Sequence, residues 1–131
     1  LEVTLTEGSR QESAESESVK RHIANLVSQY SDKSVYGLFI ARNIDSNAAH
    51  TFHTGIWYTT KDEELKLKII PVPLKFFKDF FEALFENGCS NPNEVRKLLD
   101  ECIESKDGET GPTWKLKIED VVNNQIASLV K

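Results

Sequence analysis

Val35-Tyr36-Gly37-Leu38-Phe39-Ile40-Ala41 is the stretch that decides the fold. It has the length of a β-strand and carries no charged side chain, and its lack of alternation is typical of a strand that is buried on both faces. Such strands lie in the middle of sheets whose two faces are covered by helices. The stretch therefore predicts the central strand of an α/β protein.

Helices are predicted both before and after this strand in the sequence. From about Ser13, a helix is indicated by apolar residues at helical spacing, which are Val19, Ile23, Leu26, Val27 and Tyr30. Further along, Asp45 or Ser46 is expected to cap a short helix that ends near Gly55. Residues 56–58 lead out of that helix, and residues 65–72 are predicted to form one further strand.

The C-terminal half is rich in helix signals. Pro73 is expected in the first turn of a helix that ends at Gly88. One face of this helix is an apolar stripe that is predicted to face the core and consists of Phe77, Phe80, Phe81, Leu84 and Phe85. Asn91-Pro92 is expected to start another helix, and residues 106–113 form a polar loop. From Trp114 the residues fit both strand alternation and helical spacing, and we predict a short strand that runs into a terminal helix.

Strands interspersed with helices predict one α/β domain over residues 1–131, a sandwich with a mixed sheet and with a helical extension from about residue 91. The chain opens inside a strand-like alternation, Leu1-Glu2-Val3-Thr4-Leu5, and contains no methionine. We interpret it as an N-terminally truncated piece of a longer protein.

The composition is that of a soluble globular domain, with 39% hydrophobic residues and no apolar run that approaches the ~20 residues of a membrane span. We expect a cytoplasmic protein with no membrane partner, in which Cys89 and Cys102 serve packing. The net charge of -5 argues against binding nucleic acid by bulk electrostatics. It does not argue against a metal-dependent nuclease, because such a site must cluster carboxylates.

A group of polar residues at the N-terminus could carry chemistry. Glu2 and Thr4 share one face of the first predicted strand, and Gln11, Glu15 and His22 fall in one row of the following helix. If this helix packs beside the strand, two carboxylates and an imidazole converge, which suggests a metal site or a structural network. Taken alone, Glu15 is equally explained as a solvated first-turn acid and His22 as a hydrogen-bonded helix residue.

Glu2-Val3-Thr4, Arg10-Gln11-Glu12, Glu15 and Val19-Lys20-Arg21-His22 resemble the catalytic core of the AlwI family of type IIS restriction endonucleases, a branch of the PD-(D/E)XK nucleases. The resemblance implies a three-layer restriction-endonuclease-like sandwich. It also implies Mg²⁺-dependent hydrolysis of double-stranded DNA by the C-terminal part of a cleavage domain. The family's first acidic ligand lies on a preceding strand, which this chain starts too late to contain. The fragment alone is therefore expected to bind metal weakly and to be inactive.

The resemblance also implies roles for individual residues. Glu2 would be the acidic residue of the (D/E)XK motif and a Mg²⁺ ligand, and the backbone carbonyl of Val3 would be a second ligand. Thr4 stands where many of these nucleases carry Lys, and a hydroxyl supplies no positive charge, so Thr4 would position water. Glu15 would join the metal shell or orient the water. His22 would hold Glu15 or contact the scissile phosphate.

Gln11, Lys20 and Arg21 are the candidate DNA contacts, with a solvated helix flank as the alternative for the two cations. A homodimer or a second cleavage subunit is an expected partner, because the Phe-rich helix could form a dimer surface instead of core. The alternative function is a non-catalytic α/β interaction or dimerisation module that docks through this helix. A third reading is a different PD-(D/E)XK nuclease, such as a repair or transposon-end enzyme. His50 and His53 stand at an allowed metal spacing, but no third ligand is evident and surface or capping roles are favoured.

Overall fold

The computed structural model describes residues 16–88 and 91–130, and the backbone alone of residues 2–4. These described parts contain ten helices and strands. In chain order they are β1 (Glu2–Thr4), α1 (Glu17–Gln29), β2 (Tyr36–Ala41), α2 (Ser46–Thr54), β3 (Ile56–Tyr58), β4 (Glu64–Lys66), β5 (Lys68–Pro73), α3 (Leu74–Glu86), α4 (Pro92–Glu104) and α5 (Gly111–Leu129).

β2 is the central strand of a parallel sheet in the order β1-β2-β5, as the apolar run predicts. Its register places Thr4 beside Ala41, and Ala41 beside Pro73. Each of these residues ends its strand, so the carboxyl ends of β1, β2 and β5 meet at one edge of the sheet.

The prediction of a single strand over residues 65–72 is wrong, because the chain changes sheets at Leu67. β4 pairs with β3 in an antiparallel hairpin, whereas β5 joins the parallel sheet. The Leu67 side chain is buried, and its backbone N–H donates to the carbonyl of Gly55 at 2.6 Å, which turns the chain out of the hairpin. Parallel and antiparallel pairs thus fall in two sheets among the described residues, and the α/β class is confirmed.

Helix α1 packs closely on β2 at a glycine. A Cβ at Gly37 would lie 2.9 Å from Cδ1 of Ile23, so a larger residue would force the Ile23 side chain to shift. On the same face of β2, the ring of Phe39 meets that of Phe52 in α2, with centroids 4.9 Å apart. These contacts put the core between the sheet and the two helices.

Helix α2 has the ends that the sequence predicts. Its N-cap is Asp45, whose carboxylate accepts hydrogen bonds from the N–H groups of Asn47 and Ala48 at 3.0 and 3.1 Å. Its C-cap is Gly55, in the left-handed region with φ 57°.

The strand predicted at Trp114 is wrong, because α5 is helical from Gly111 onward. Thr110 and Thr113 form a reciprocal capping box, and burial follows the helical period at Trp114, Ile118 and Val122. Gly111 also permits close helix packing, since a Cβ there would lie 2.5 Å from the backbone of His50 in α2.

The Phe stripe of α3 is split between core and surface, which corrects the prediction that all of it faces the core. Phe80 and Leu84 are buried, Phe77 and Phe81 are half-buried, and Phe85 is 74% exposed. Helix α4 begins after its N-cap Asn91, as predicted. None of the helices in the described ranges combines the length and the apolar composition that a membrane span requires.

Candidate functional site

The segment Glu2-Val3-Thr4 forms β1 and runs to the carboxyl edge of the parallel sheet. Glu2 lies beside Phe39 of β2, and Thr4 beside Ala41. Ligand sites of open α/β sheets lie at this edge, outside the carboxyl ends of the strands. The candidate catalytic strand therefore ends where such a site is expected. The side chains of these three residues lie outside the described part of the structure, as do Gln11 and Glu15.

Lys20, Arg21 and His22 occupy successive positions of α1 and point in three directions, because consecutive helical residues are about 100° apart. Lys20 is half-buried, and burial lowers the pKa of its ammonium. Arg21 is exposed and forms an ion pair with Glu17 one turn earlier. His22 is exposed. The three candidates thus share a helix but do not converge on one point.

Arg21 lines a groove of about 370 Å³ between α1 and the β3-β4 hairpin. Asn25 and Ser28 of α1 and Trp57 and Tyr58 of β3 also line it. The groove gives Arg21 a polar and aromatic environment, and only one guanidinium nitrogen is engaged in the ion pair with Glu17.

His53 has a structural role instead of acting as a metal ligand. Its Nε2 lies 3.1 Å from the carbonyl oxygen of Lys106, and its ring packs edge-on against Trp114 at 5.6 Å. His50 is exposed. Within residues 16–88 and 91–130, no three His, Cys, Asp or Glu side chains are grouped as a metal site.

A second cavity, of about 350 Å³, opens near the carboxyl ends of β2 and β5. The sequence does not predict this cavity, although Lys75 belongs to a local basic cluster with Lys66, Lys68 and Lys78 that is a candidate phosphate track. Three cations line it, and we call it the cationic cleft: Arg42 follows β2, Lys75 lies in the first turn of α3, and Lys115 comes from α5. Glu119 is the one carboxylate among its lining residues. The cleft carries net positive charge in a chain whose net charge is -5, so it is suited to an anion.

Lys115 is anchored at the cleft wall. Its Nζ donates to the carbonyl of Ile44 at 3.0 Å and to Oγ of Ser46 at 3.1 Å. An ammonium has three protons, so one remains for a ligand. Arg42 and Lys75 are exposed. Two signals were available in the sequence for this site, since Arg42 and Lys75 each follow closely on the end of a predicted strand.

Comparison with known proteins points to one family. The family model described as AlwI restriction endonuclease matches residues 1–80. Among solved structures, the chain resembles the small subunit (R.BspD6I2) of the heterodimeric restriction endonuclease R.BspD6I, with a TM-score of 0.64 and 23% identity. The match covers 97% of this chain and 58% of that one, so this chain spans 58% of that subunit's length. The likeness confirms the restriction-endonuclease-like fold. No curated protein sequence matches the chain.

Proposed function

Since the chain belongs to the AlwI restriction endonuclease family, we propose that it forms the C-terminal part of the cleavage domain of a type IIS, PD-(D/E)XK enzyme that hydrolyses DNA phosphodiester bonds with Mg²⁺. One observation carries this proposal. The matched segment, residues 1–80, includes every candidate site residue from Glu2 to His22 and the strand edge at which β1 ends.

The donor set fits Mg²⁺ in its chemistry. Glu2 and Glu15 offer carboxylate oxygens and Val3 offers a backbone carbonyl, and Mg²⁺ prefers oxygen ligands and is commonly held by one or two carboxylates. When bound, Mg²⁺ supplies an activated water and neutralises charge on the phosphate.

The remaining roles fall to groups of the chain itself. The Thr4 hydroxyl accepts or donates a hydrogen bond to the attacking water and so holds it in line with the 3′ oxygen. The attacking water gives up a proton to bulk water as the bond from phosphorus to its oxygen forms. The bond to the 3′ oxygen breaks, and that oxygen takes up a proton from another water as it leaves. His22 holds Glu15 or donates to the scissile phosphate. Because Thr4 carries no charge, further positive charge on the phosphate must come from elsewhere in the protein.

Carboxamide variants test the proposed ligands. We expect Glu2→Gln or Glu15→Gln in the full-length protein to lower plasmid cleavage in Mg²⁺ at least a hundredfold and to leave DNA binding in EDTA intact, because each change removes a ligand charge without changing the side-chain shape. Glu63→Gln is the matched control, since Glu63 is an exposed acid in the turn between β3 and β4 and is not a candidate site residue. Cleavage that survives both ligand substitutions would contradict the proposal.

A second candidate role is contact with another cleavage subunit through α3. Leu74, Phe77, Phe81 and Phe85 line an apolar groove of about 630 Å³ on this helix. Phe85 is 74% exposed, which is unusual for so large an apolar side chain outside an interface. The structural relative, described as a subunit of a heterodimeric enzyme, supports an association of this kind.

A further inference from the structure

We propose that the cationic cleft, through Arg42, Lys75 and Lys115, binds a backbone phosphate of duplex DNA and holds the strand next to β1. This inference rests on the proposed nuclease function, for which it adds a substrate-binding site. The site is distinct from the candidate metal ligands and from the candidate DNA contacts on α1.

The charges of the cleft favour a phosphate. Three cations face one carboxylate, that of Glu119, across a cavity of about 350 Å³. Arg42 is exposed and makes no ion pair with any carboxylate in the described ranges. Its guanidinium presents a planar fork that matches two phosphate oxygens, and Lys75 and Lys115 add point charges.

The first turn of α3 adds to this potential. Its N-cap residue is Pro73, and no side chain caps this end of the helix. Pro73, Lys75 and Phe76 all line the cleft. The first turn therefore has no side-chain cap competing with a ligand, and the helix dipole adds partial positive charge at the same place.

The position of the cleft connects it to the candidate catalytic strand. Arg42 directly follows Ala41, which pairs with Thr4. Arg42 is thus one residue beyond the strand partner of Thr4, and neighbouring strands lie about 4.8 Å apart. A phosphate in the cleft would place its DNA strand along the edge at which β1 ends. The cleft would thereby supply positive charge near a motif in which Thr4 stands in place of Lys.

The test is DNA binding in EDTA, which leaves cleavage out of the measurement. The double variant Arg42→Ala/Lys75→Ala of the full-length protein is compared with wild type by fluorescence anisotropy of a labelled duplex over a series of NaCl concentrations. Both side chains are exposed, so folding is retained. The matched control is Lys61→Ala/Lys97→Ala, which removes two exposed cations outside the cleft.

We expect the cleft variant to bind DNA about tenfold more weakly. The slope of log K against log salt should become less steep by about 2, because each phosphate contact that is lost means that fewer counterions are released from the DNA on binding. The control should bind like wild type. An unchanged slope in the cleft variant, an equal loss in the control, or no DNA binding by wild type would each overturn the proposal. Failure of the nuclease proposal would appear separately, as absent cleavage with cleft-dependent binding intact.

Discussion

Lys115 is the residue that joins the cationic cleft to the rest of the fold. Its two hydrogen bonds reach the Ile44 carbonyl and the Ser46 hydroxyl, at the start of α2. The close approach of α5 to α2 at Gly111 brings these helices together. The ammonium is thus held in place before any ligand binds, which lowers the entropy lost on binding.

Cys102 gives a pH prediction at the same scale. Its side chain is 1% exposed, and burial, with a smaller contribution from Glu101, raises the pKa of its thiol to about 12 from an ordinary value of 9.0. The folded state therefore keeps the thiol proton where the unfolded chain releases it. Above pH 9, this group should lower the free energy of unfolding by up to about 1.4 kcal/mol per pH unit, whereas below pH 9 it has no such effect.

Urea unfolding between pH 8 and pH 11 measures this dependence, with Cys102→Ala as the comparison. The variant is expected to be less stable at pH 8, because it leaves a small cavity, but to lose stability less steeply as the pH rises. Identical pH dependence in the two proteins would show that the thiol does not titrate in this way.

Residue patterns predict local contacts better than distant ones. The Asp45 cap and the Gly55 end of α2 depend on neighbours within four residues, and both are confirmed. The cationic cleft depends on Lys115, which is 71 residues from Ile44 in sequence. No periodicity connects such positions, so the site became visible only when the fold brought them together.

The elements show the same distinction. β2 was predictable because an apolar run of strand length has few other uses. Residues 65–72 have the composition of one strand, and the break at Leu67 arises from its hydrogen bond to Gly55, which is a tertiary contact. The start of α5 fits two periods equally, and the capping box of Thr110 with Thr113 decides in favour of helix. The candidate catalytic strand was predicted from its motif, and the structure adds its pairing with β2 in the parallel sheet.

Helix α3 gives an element-scale prediction, because its two faces differ. Phe80→Ala should cost about 3 to 5 kcal/mol of unfolding free energy, since Phe80 is buried. Phe85→Lys should change stability by less than about 0.5 kcal/mol, since Phe85 is exposed. If the α3 groove contacts a second cleavage subunit, Phe85→Lys should also abolish association.

Sedimentation velocity of the full-length protein over a range of concentrations tests that association with a second copy as the partner. We expect a dimer that forms as concentration rises and that Phe85→Lys removes. Tyr58→Lys, which changes an aromatic residue of 61% exposure on β3, should leave it intact. A protein that stays monomeric throughout, or equal loss in both variants, would count against the interface.

The whole molecule combines an acidic chain with a local region of positive charge at the cationic cleft. A net charge of -5 disfavours unspecific adhesion to DNA, and carboxylates are required at a Mg²⁺ site. The cationic cleft places attraction for phosphate at the sheet edge that also receives β1. The proposed carboxylate ligands and the proposed phosphate-binding cations are thus expected side by side, so that a bound DNA strand would lie next to the candidate metal site.

Plasmid cleavage by the full-length protein, with Mg²⁺ and with EDTA, tests the nuclease assignment most directly. We predict discrete cuts at fixed positions in Mg²⁺ and none in EDTA, because the proposed water nucleophile depends on a cation held by Glu2 and Glu15. Cutting that persists in EDTA, or intact plasmid in Mg²⁺ although the protein binds the DNA, would contradict the assignment.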